Sequence, residues 1–384
     1  MKKVLQISKY YYPFIGGTEQ VAKDIANALK SENIEQKVIC FNENSVAGGL
    51  TSKRHQTITE VVDGVEIIRC GTLCKIASQA ISLSYRKQLK RVMTDFKPDI
   101  VILHYPNIFA THYLLKYKKQ NFKLCVYWHL DITKQKKLKK LFKNQNLDLI
   151  ERADRIWGAT PKHINESEFT AQFGDKKEIL PYAIDEKRLK ISDEEISEAN
   201  KIRKKYNGKV LGFFIGRHVS YKGLEYLIDA SKYMKSDIHI LIAGSGELTE
   251  SLKQKAQGDA KIEFIGKISD SEWRSYLYAS DIFCFPSITR NEGFGLALAE
   301  GMYYGKPAVT FTIHGSGVNY VNQNGVTGIE CPNCDSRAYA EALDELVSKK
   351  ELREKYGAAA HQRVLDNFTF ERFQENVINI VNNL

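Results

Sequence analysis

Short apolar runs alternate with stretches of helical spacing along the first half of the chain. The apolar runs have the length of buried strands and are bounded by polar or glycine-containing turns. Six strands are predicted, at Val4–Ser8, Lys37–Phe41, Val65–Cys70, Asp99–His104, Leu124–His129 and Arg155–Ala159. Between the first two strands, a helix is predicted from the spacing of Val21, Ile25, Ala28 and Leu29. Alternation of this kind indicates a mostly parallel sheet covered by helices.

The same alternation restarts in the second half. Strands are predicted at Val210–Ile215, His239–Ala243, Ile262–Ile265, Ile282–Phe285 and Ala308–Thr312. The helices predicted between them are Leu224–Met234, Leu248–Ala256, Asp270–Ala279 and Leu296–Tyr304. The chain is therefore predicted to be an α/β protein with two Rossmann-like units in series.

A charged segment separates the two series. Residues 186–208 contain few large apolar side chains, so we place a boundary there and predict domains at residues 1–190 and 191–367. The remaining segment, residues 368–384, has helical spacing of Phe370, Phe373, Val377, Ile380 and Val381. We expect this segment to form a helix that packs back on the N-terminal domain.

The composition is that of an ordinary globular protein. The 384 residues are 43% hydrophobic and 27% charged, which excludes a disordered or low-complexity chain. No stretch approaches about 18 apolar residues, and the N-terminus lacks the apolar core of a signal peptide. The seven cysteines are scattered, and we interpret Cys331-x-x-Cys334 as free thiols rather than a metal site. These features predict a cytoplasmic chain without a transmembrane span.

The basic charge is concentrated in one half. Residues 1–185 hold 30 basic and 19 acidic side chains, whereas residues 186–384 hold 26 and 27. The densest lysine run is Lys134, Lys136, Lys137, Lys139, Lys140 and Lys143, interleaved with Leu138, Leu141 and Phe142, and a smaller one is Lys116, Lys118 and Lys119. The larger run suits a cationic amphipathic helix on an anionic membrane leaflet or near a phosphate-bearing acceptor, although a solvated helix face has the same pattern. The aromatic residues do not follow a nucleic-acid-binding pattern, so we expect no nucleic-acid partner.

Glycine-containing turns after the strands are the first candidates for a ligand site. Gly16 and Gly17 stand immediately before the first helix, where backbone amides can approach an anion, although a plain turn would use the same residues. No G-x-G-x-x-G follows the first strand, which argues against an NAD-dependent enzyme. No G-x-x-x-x-G-K-[ST] occurs either, which argues against a P-loop NTPase.

Two cations flank the turn after the strand at 210–215. Arg217 can hold two phosphate oxygens in its planar fork, while Lys222 supplies a point charge. A diphosphate would satisfy both groups. The alternative is two solvated cations beside a turn.

Two carboxylates follow the strand at 282–285. Glu292 lies in the loop before the next predicted helix and Glu300 lies inside it. Gly293 and Gly295 leave the amides at the helix start accessible to phosphate, and an acidic side chain among small helical neighbours can accept hydrogen bonds from sugar hydroxyls. A cap at Glu292 with a surface position for Glu300 is the alternative.

At this point the sequence closely resembles the retaining family 4 glycosyltransferases. The resemblance is carried by GGTE at 16–19, PYAID at 181–185, GRHVSYKG at 216–223, AGSGE at 243–247, EGFGLALAE at 292–300 and GKPAV at 305–309. It implies the GT-B fold, in which two Rossmann-like domains face a central cleft. The chain departs from the family at Tyr182-Ala183, where Asn-Gly is common, and at Leu130, where a small polar residue is common.

The resemblance also implies roles for individual residues. Arg217 and Lys222 would hold the donor diphosphate, Glu292 and His129 would contact the transferred sugar, and Glu300 would bind the ribose. The remaining donor-binding positions that it implies are Gly16, Gly17, Lys267, Ile268, Phe294, Gly295 and Leu296. Charge on the leaving phosphate would be stabilised by the two cations and by the amides near Phe294.

These features together predict a hexosyltransferase. We expect transfer with retention from GDP-mannose or a UDP-hexose to a glycan, with a polyprenyl-diphosphate-linked acceptor on the inner leaflet of the cytoplasmic membrane and a role in O-antigen or capsule synthesis. No D-x-D follows a strand, so neither a metal nor another cofactor is expected. The alternatives are another GT-B nucleotide-sugar enzyme, such as a UDP-sugar 2-epimerase or a phosphorylase, and a non-catalytic basic protein that binds surfaces.

Overall fold

The computed structural model describes residues 1–14, 16–44, 49–76, 79–117, 119–132 and 140–384. These residues form two compact units, of which the first contains residues 1–183 and 371–384 and the second contains residues 184–370. The boundary that the sequence places after residue 190 thus lies a few residues inside the second unit. Each unit is an α/β body built on its own sheet.

The first unit is built on an eight-stranded sheet. Its strands and a separate hairpin are β1 (Lys2–Ile7), β2 (Ile34–Phe41), β3 (Ile58–Val62), β4 (Val65–Cys70), β5 (Cys74–Ile76), β6 (Gln79–Ile81), β7 (Ile100–Tyr105), β8 (Lys123–Trp128), β9 (Arg155–Gly158) and β10 (Lys177–Ile179). The strand order is β10-β9-β8-β7-β1-β2-β4-β3, and β5 pairs with β6 outside this sheet. All neighbouring strands of the large sheet are parallel except β3 and β4.

Helices cover this sheet because its central strands are apolar on both faces. The helices are α1 (Gly17–Ala28), α2 (Tyr85–Arg91), α3 (Ile108–Leu114), α4 (Lys143–Arg152) and α5 (Pro161–Asn165). Leu5, Leu103, Val126 and Trp128 are buried in the main core of the unit. A parallel strand with both faces buried reads as a continuous apolar run, which is why these strands were predictable from the sequence.

Three parts of the first unit were not predicted. Strand β3 alternates between partly buried and exposed residues, β10 is only partly buried, and β5 is exposed along its length. These segments lie at sheet edges or in a separate hairpin, so they lack the apolar run by which the buried strands were recognised.

The second unit is built on a six-stranded, fully parallel sheet. Its strands are β11 (Val210–Ile215), β12 (Ile238–Ala243), β13 (Ile262–Gly266), β14 (Ile282–Phe285), β15 (Ala308–Phe311) and β16 (Gly328–Cys331), in the order β13-β12-β11-β14-β15-β16. Its helices are α6 (Glu186–Leu189), α7 (Asp193–Lys205), α8 (Leu224–Ser231), α9 (Thr249–Lys255), α10 (Asp270–Ala279), α11 (Leu296–Tyr303), α12 (Val318–Val321), α13 (Ser336–Ser348) and α14 (Lys350–Asn367). Strand β16 and helices α6, α7, α12, α13 and α14 were not predicted.

The charged segment at 186–208 is helical and belongs to the second unit. Helix α7 begins with a capping box, in which Ser192 and Glu195 each accept a hydrogen bond from the other's backbone amide. The Glu195 carboxylate also pairs with Arg274 of α10, and Ser275 donates to the Glu195 carbonyl. Polar contacts and caps, rather than a wide apolar face, therefore hold this helix in place.

The C-terminal helix α15 (Phe370–Asn382) packs within the first unit. Phe373, Val377 and Val381 are buried, as expected for the apolar face of an amphipathic helix. Lys2 Nζ donates to the Val381 carbonyl at 2.9 Å, and Gln374 Nε2 donates to the Ala28 carbonyl at 3.1 Å. The helix is thus attached to both β1 and α1.

The basic run of the first unit is only partly described. Lys134, Lys136, Lys137, Lys139 and Leu138 of the larger run, and Lys118 of the smaller one, lie outside the described residues. Lys140 and Leu141 precede α4 and are exposed, and Phe142 is half-buried. In the described part of the chain, no helix has both the length and the hydrophobicity needed to cross a bilayer.

Candidate active site

Strand order places the predicted phosphate-binding residues of the second unit close together. From β11 the chain runs outward through β12 to β13, and it then returns to β14 on the other side of β11. Connections that leave adjacent parallel strands in opposite directions open a crevice at their carboxyl ends, which is where such sheets bind ligands. Arg217 and Lys222 follow β11, and Glu292 follows β14.

Lys222 and Glu292 form a largely buried ion pair across these two loops. Lys222 Nζ contacts Glu292 Oε2, and the two side chains are only 11% and 13% exposed. Ser287 Oγ donates to the same carboxylate oxygen at 3.1 Å, and the Lys222 ammonium lies 5.0 Å from the ring centroid of Phe285. Each charge is thus held in place by the other.

Two glycines with left-handed backbone allow this pairing. Gly223 has φ +62°, and a Cβ at this position would lie 2.1 Å from the Pro286 carbonyl oxygen, so the loop after β11 touches the loop after β14 only because no side chain intervenes. Gly295 has φ +90° and stands directly before α11. The chain can therefore turn sharply from Glu292 into that helix.

Arg217 differs from Lys222 in its exposure. Its side chain is exposed, and Nη2 donates to the Tyr221 hydroxyl at 3.3 Å. An exposed guanidinium keeps donors that a diphosphate can accept from without breaking a buried pair. Its predicted role as a phosphate ligand stays a prediction.

Glu300 lies on α11 and pairs with a residue that the sequence did not single out. Arg188 Nη1 lies 3.5 Å from Glu300 Oε1, and Arg188 Nε lies 3.1 Å from Asp270 Oδ2. Burial raises the pKa of Glu300 to about 7, while Arg188 opposes this shift and Asp270 and Asp185 add to it. The carboxyl group therefore titrates near neutral pH.

The other predicted donor-binding residues of the second unit differ in their exposure and in their position on the sheet. The Phe294 side chain is buried against Phe368, with ring centroids 5.2 Å apart, so only its backbone can meet a ligand. Leu296 is half-buried at the start of α11. Lys267 and Ile268 follow the edge strand β13, which β12 separates from β11.

The predicted glycine turn of the first unit is covered by a carboxylate from the first turn of α1. A Cβ at Gly16 would lie 2.4 Å from Glu19 Oε2, so this side chain folds back over the loop, whereas Gly17 has open space. Burial raises the pKa of Glu19, and Lys9 opposes this shift. Before an anion could bind at Gly16 and Gly17, the Glu19 side chain would have to move away or its carboxyl group would have to be protonated.

His129 lies in a buried chain of hydrogen bonds in the first unit. Its Nε2 is 2.9 Å from His104 Nδ1, and His104 Nε2 is 3.0 Å from Gln6 Oε1. On the other side, His129 Nδ1 is 2.5 Å from the Tyr182 hydroxyl. Both ring nitrogens of His129 are therefore bonded within this unit, so a sugar contact through the ring would need one of these bonds to open.

The orientation of the Gln6 amide, with Oε1 toward His104, sets the tautomer of each histidine. Because Gln6 Oε1 can only accept, His104 carries its proton on Nε2 and accepts on Nδ1, so His129 donates from Nε2 and accepts on Nδ1 from Tyr182. Burial lowers the pKa of His104 to about 3 and lowers the pKa of His129 well below its ordinary value. Both imidazoles are therefore neutral at pH 7.

Removing the Tyr182 hydroxyl tests this arrangement. In Tyr182→Phe the Nδ1 acceptor of His129 stays buried without its donor, so we expect the first unit to lose about 1–3 kcal/mol of unfolding free energy. Urea unfolding followed by tryptophan fluorescence measures this loss, because two of the three tryptophans, the buried Trp128 and Trp157, lie in that unit and only Trp273 lies in the other. The matched control is Tyr12→Phe, whose side chain is 48% exposed. Equal stability of both variants would contradict the bonded chain.

The residues that the sequence did not single out lie in, or a few residues from, segments that it did. Tyr182 belongs to PYAID, where its departure from Asn-Gly was noted without a contact to explain it. Arg188 follows the same motif by three residues, and His104 is the last residue of the predicted strand Asp99–His104. Among the described residues, no cluster of three His, Cys, Asp or Glu side chains could hold a metal ion.

Two family models match nearly all of the chain. The Glycosyltransferase Family 4 model covers residues 15–188, and the model described as Glycosyl transferases group 1 covers residues 195–363. The chain therefore belongs to the GT-B glycosyltransferases that combine these two domains.

Individual relatives agree over the full length. The chain is 27% identical to the O-antigen chain mannosyltransferase C of Escherichia coli, with 100% of this chain and 98% of the relative covered. It is 28% identical to the D-rhamnosyltransferase WbpZ of Pseudomonas aeruginosa, with 96% and 92% covered. Its fold is similar to that of HepE from Anabaena in complex with UDP and glucose, with a TM-score of 0.75 at 16% identity and 100% of both chains covered.

Proposed function

We propose that this glycosyltransferase moves a hexose, with retention of anomeric configuration, from a nucleotide diphosphate sugar to the glycan of a lipid-linked acceptor in bacterial surface polysaccharide synthesis. The observation that carries the donor class is the Lys222–Glu292 pair, which joins the loops after the neighbouring strands β11 and β14. Arg217 lies in the first of these two loops. A relative named as an O-antigen chain mannosyltransferase supports a role in surface polysaccharide synthesis, and one named as a D-rhamnosyltransferase supports transfer of a sugar of the hexose class.

The charges of the second unit suit this chemistry. Departure of a nucleoside diphosphate builds negative charge on its terminal phosphate as the anomeric carbon becomes cationic. Fixed cations and helix-start amides stabilise such charge, and each donor of this kind is worth about 2.7–4 kcal/mol in comparable sites. Arg217, Lys222 and the amides near Gly295 would take this role, and Glu292 would accept hydrogen bonds from the sugar hydroxyls.

The side chains present can do this without a metal. Arg217 and Lys222 both follow β11 and supply two positive charges for a diphosphate, so we propose that catalysis is metal-independent. Activity that survives chelation by EDTA is expected, and a requirement for added Mg²⁺ or Mn²⁺ would contradict this part of the proposal.

A donor screen tests the proposed function directly. Purified protein is melted with a panel of GDP- and UDP-sugars, because a ligand that binds only the native state raises the apparent melting temperature. The sugar that stabilises most is then supplied with a lipid-linked oligosaccharide, and the product is analysed for a new glycosidic bond and its anomeric configuration. Epimerised donor, bound pyridoxal phosphate seen by absorbance, or the absence of donor turnover would each contradict the proposal.

We also propose that the basic first unit binds the membrane that holds the acceptor. Each lysine near an anionic bilayer contributes about 1 kcal/mol, so the run at 134–143 would give a salt-sensitive attachment. Flotation with anionic liposomes at low salt is expected to recover the protein, and zwitterionic liposomes or high salt are expected to release it. Reversal of Lys136, Lys137, Lys139 and Lys140 to Glu is expected to abolish recovery.

The matched control reverses four exposed lysines of the second unit, Lys204, Lys235, Lys350 and Lys355. It makes the same change in net charge, so it is expected to keep most of the binding. If both quadruple variants float equally well, the lysine run does not carry the membrane binding. If the wild type does not float with anionic liposomes at low salt, a soluble acceptor is the better proposal.

A further inference from the structure

Arg188 lies between two carboxylates at the proposed ribose site. Its Nη1 faces Glu300 Oε1 at 3.5 Å, and its Nε faces Asp270 Oδ2 at 3.1 Å. The guanidinium also lies 4.4 Å from the ring centroid of Trp273, a geometry in which the aromatic face attracts a cation. One arginine thus joins the carboxylate on α11 to the start of α10.

The backbone that carries Arg188 is fixed on both sides. Asp185, the last residue of the PYAID motif, caps α6 by accepting from the Arg188 amide at 3.0 Å. Arg274 Nη1 donates to the Arg188 carbonyl at 2.9 Å, and the Tyr304 hydroxyl donates to the next carbonyl, that of Leu189, at 2.6 Å. The guanidinium therefore starts from a defined backbone position.

We propose that Arg188 is a positioning residue that keeps the Glu300 carboxylate ionised and oriented to accept hydrogen bonds from the ribose hydroxyls of the donor. This inference rests on the proposed function, which places the ribose at Glu300. It goes beyond that function because it assigns the ionisation and orientation of the Glu300 carboxylate to Arg188. It also gives the PYAID motif a role, since Asp185 caps the helix that carries this arginine.

The charged groups around Glu300 determine how its pKa should change when one of them is removed. Arg188 and Asp185 face it from α6 and its N-cap, Asp270 from α10, and Tyr304 from the end of its own helix. On α14, which packs against α11, His361 Nδ1 contacts the Tyr303 carbonyl. Burial raises the pKa of Glu300 to about 7, so loss of Arg188 should raise it further and loss of Asp270 should lower it.

Two neighbouring variants should therefore shift the titration in opposite directions. Arg188→Gln removes the positive neighbour, and a close opposite charge commonly lowers a carboxyl pKa by about 1–3. Asp270→Asn removes a negative neighbour and leaves an amide that can still accept from Arg188. Both side chains are substantially exposed, 44% and 65%, so neither substitution empties the core. Lys201→Gln is the control, because it changes charge at a side chain that is 70% exposed and paired with Glu198.

The first measurement needs no donor. Carbon-13 NMR of glutamate side-chain carboxyls, with Glu300 assigned through Glu300→Gln, follows its protonation from pH 5 to 9. We expect a midpoint near 7 in the wild type, at least about one pH unit higher in Arg188→Gln, and lower in Asp270→Asn. Lys201→Gln should match the wild type. A midpoint that is unchanged in Arg188→Gln, or that moves in the same direction in both variants, would overturn the inference.

The second measurement uses an intact nucleotide sugar, GDP-mannose or UDP-glucose, whichever binds the wild type. Its diphosphate is esterified at both ends and has no ionisation near neutral pH, so a titration reports on the protein. Because only ionised Glu300 accepts from both hydroxyls, affinity should fall as pH drops through its pKa. Arg188→Gln should bind about fivefold more weakly at pH 7 and recover by pH 9.

The possible outcomes separate the role of Arg188 from the proposed function on which it rests. If no nucleotide sugar binds at any pH, while the NMR midpoints shift as expected, the proposed function fails and the control of Glu300 by Arg188 stands. If donors bind and the affinity of Arg188→Gln stays equally low from pH 6 to 9, Arg188 has only a structural role and the inference fails.

Discussion

Lys222→Ala is expected to reduce sugar transfer by about 100-fold or more, because it removes a fixed positive charge aligned with the leaving diphosphate. The substitution also leaves the Glu292 carboxylate, only 13% exposed, with Ser287 in place of its ammonium partner. Part of the loss could then reflect a less stable second unit. The double variant Lys222→Ala/Glu292→Gln removes both charges, so it should restore stability without restoring transfer.

Arg217→Ala should lower transfer to a similar degree without that complication. Its side chain is exposed and donates to the Tyr221 hydroxyl, so its removal strands no buried charge. The matched control is Tyr221→Phe, which removes the same hydrogen bond and keeps the guanidinium. Initial rates at saturating acceptor measure the loss of transfer, and a melting curve of each variant shows whether the protein is folded. Transfer within a few-fold of the wild type in a folded Arg217→Ala or double variant would remove that cation from the proposed site.

The two glutamates are expected to separate nucleotide binding from sugar transfer. Glu300→Gln should weaken the binding of free nucleoside diphosphate by about 10-fold or more at pH 8, because a charged acceptor of the ribose hydroxyls becomes neutral. Glu292→Gln should lower transfer of the intact donor by about 100-fold. It should leave nucleoside diphosphate affinity equal or tighter, because Lys222 is no longer held by an internal carboxylate.

Isothermal titration calorimetry with nucleoside diphosphate and with the intact nucleotide sugar measures both effects. Lys201→Gln serves as the folded reference for a single charge change in the second unit. If both glutamate variants lose nucleoside diphosphate affinity by the same factor, the assignment of ribose to Glu300 and of sugar to Glu292 is wrong.

The fold was predictable because its sheets are buried on both faces. Such strands are continuous apolar runs, and the predicted strands at 65–70, 210–215 and 282–285 match the structure at both ends. Strand β3 carries no such run, because Thr59 and Glu60 interrupt it and its residues alternate between partly buried and exposed, so it was not predicted. The helices α13 and α14 were not predicted for a different reason: they follow β16, a strand that was itself not predicted.

The candidate site was only half predictable. Arg217, Lys222 and Glu292 were singled out because their charges follow strand ends, and Glu300 because it is acidic among small helical neighbours; their roles stay predictions. The contacts between them were not predicted, since the pairing of Lys222 with Glu292 depends on how closely two loops approach at Gly223. Arg188 lies more than a hundred residues before Glu300, and sequence spacing says nothing about such a pair.

The hydrogen-bonded chain in the first unit gives a residue on its first strand influence over the far end. Each neutral imidazole has one proton to give and one lone pair to fill, so the direction of the first bond sets the direction of every later one. Gln6 accepts from His104, and His129 therefore presents a lone pair to Tyr182. A lysine at position 6 could only donate, and it would reverse every bond and place the proton of His129 on the opposite nitrogen. The identity of a single buried β1 side chain thus decides whether His129 presents a lone pair or an N–H group to Tyr182, which follows β10.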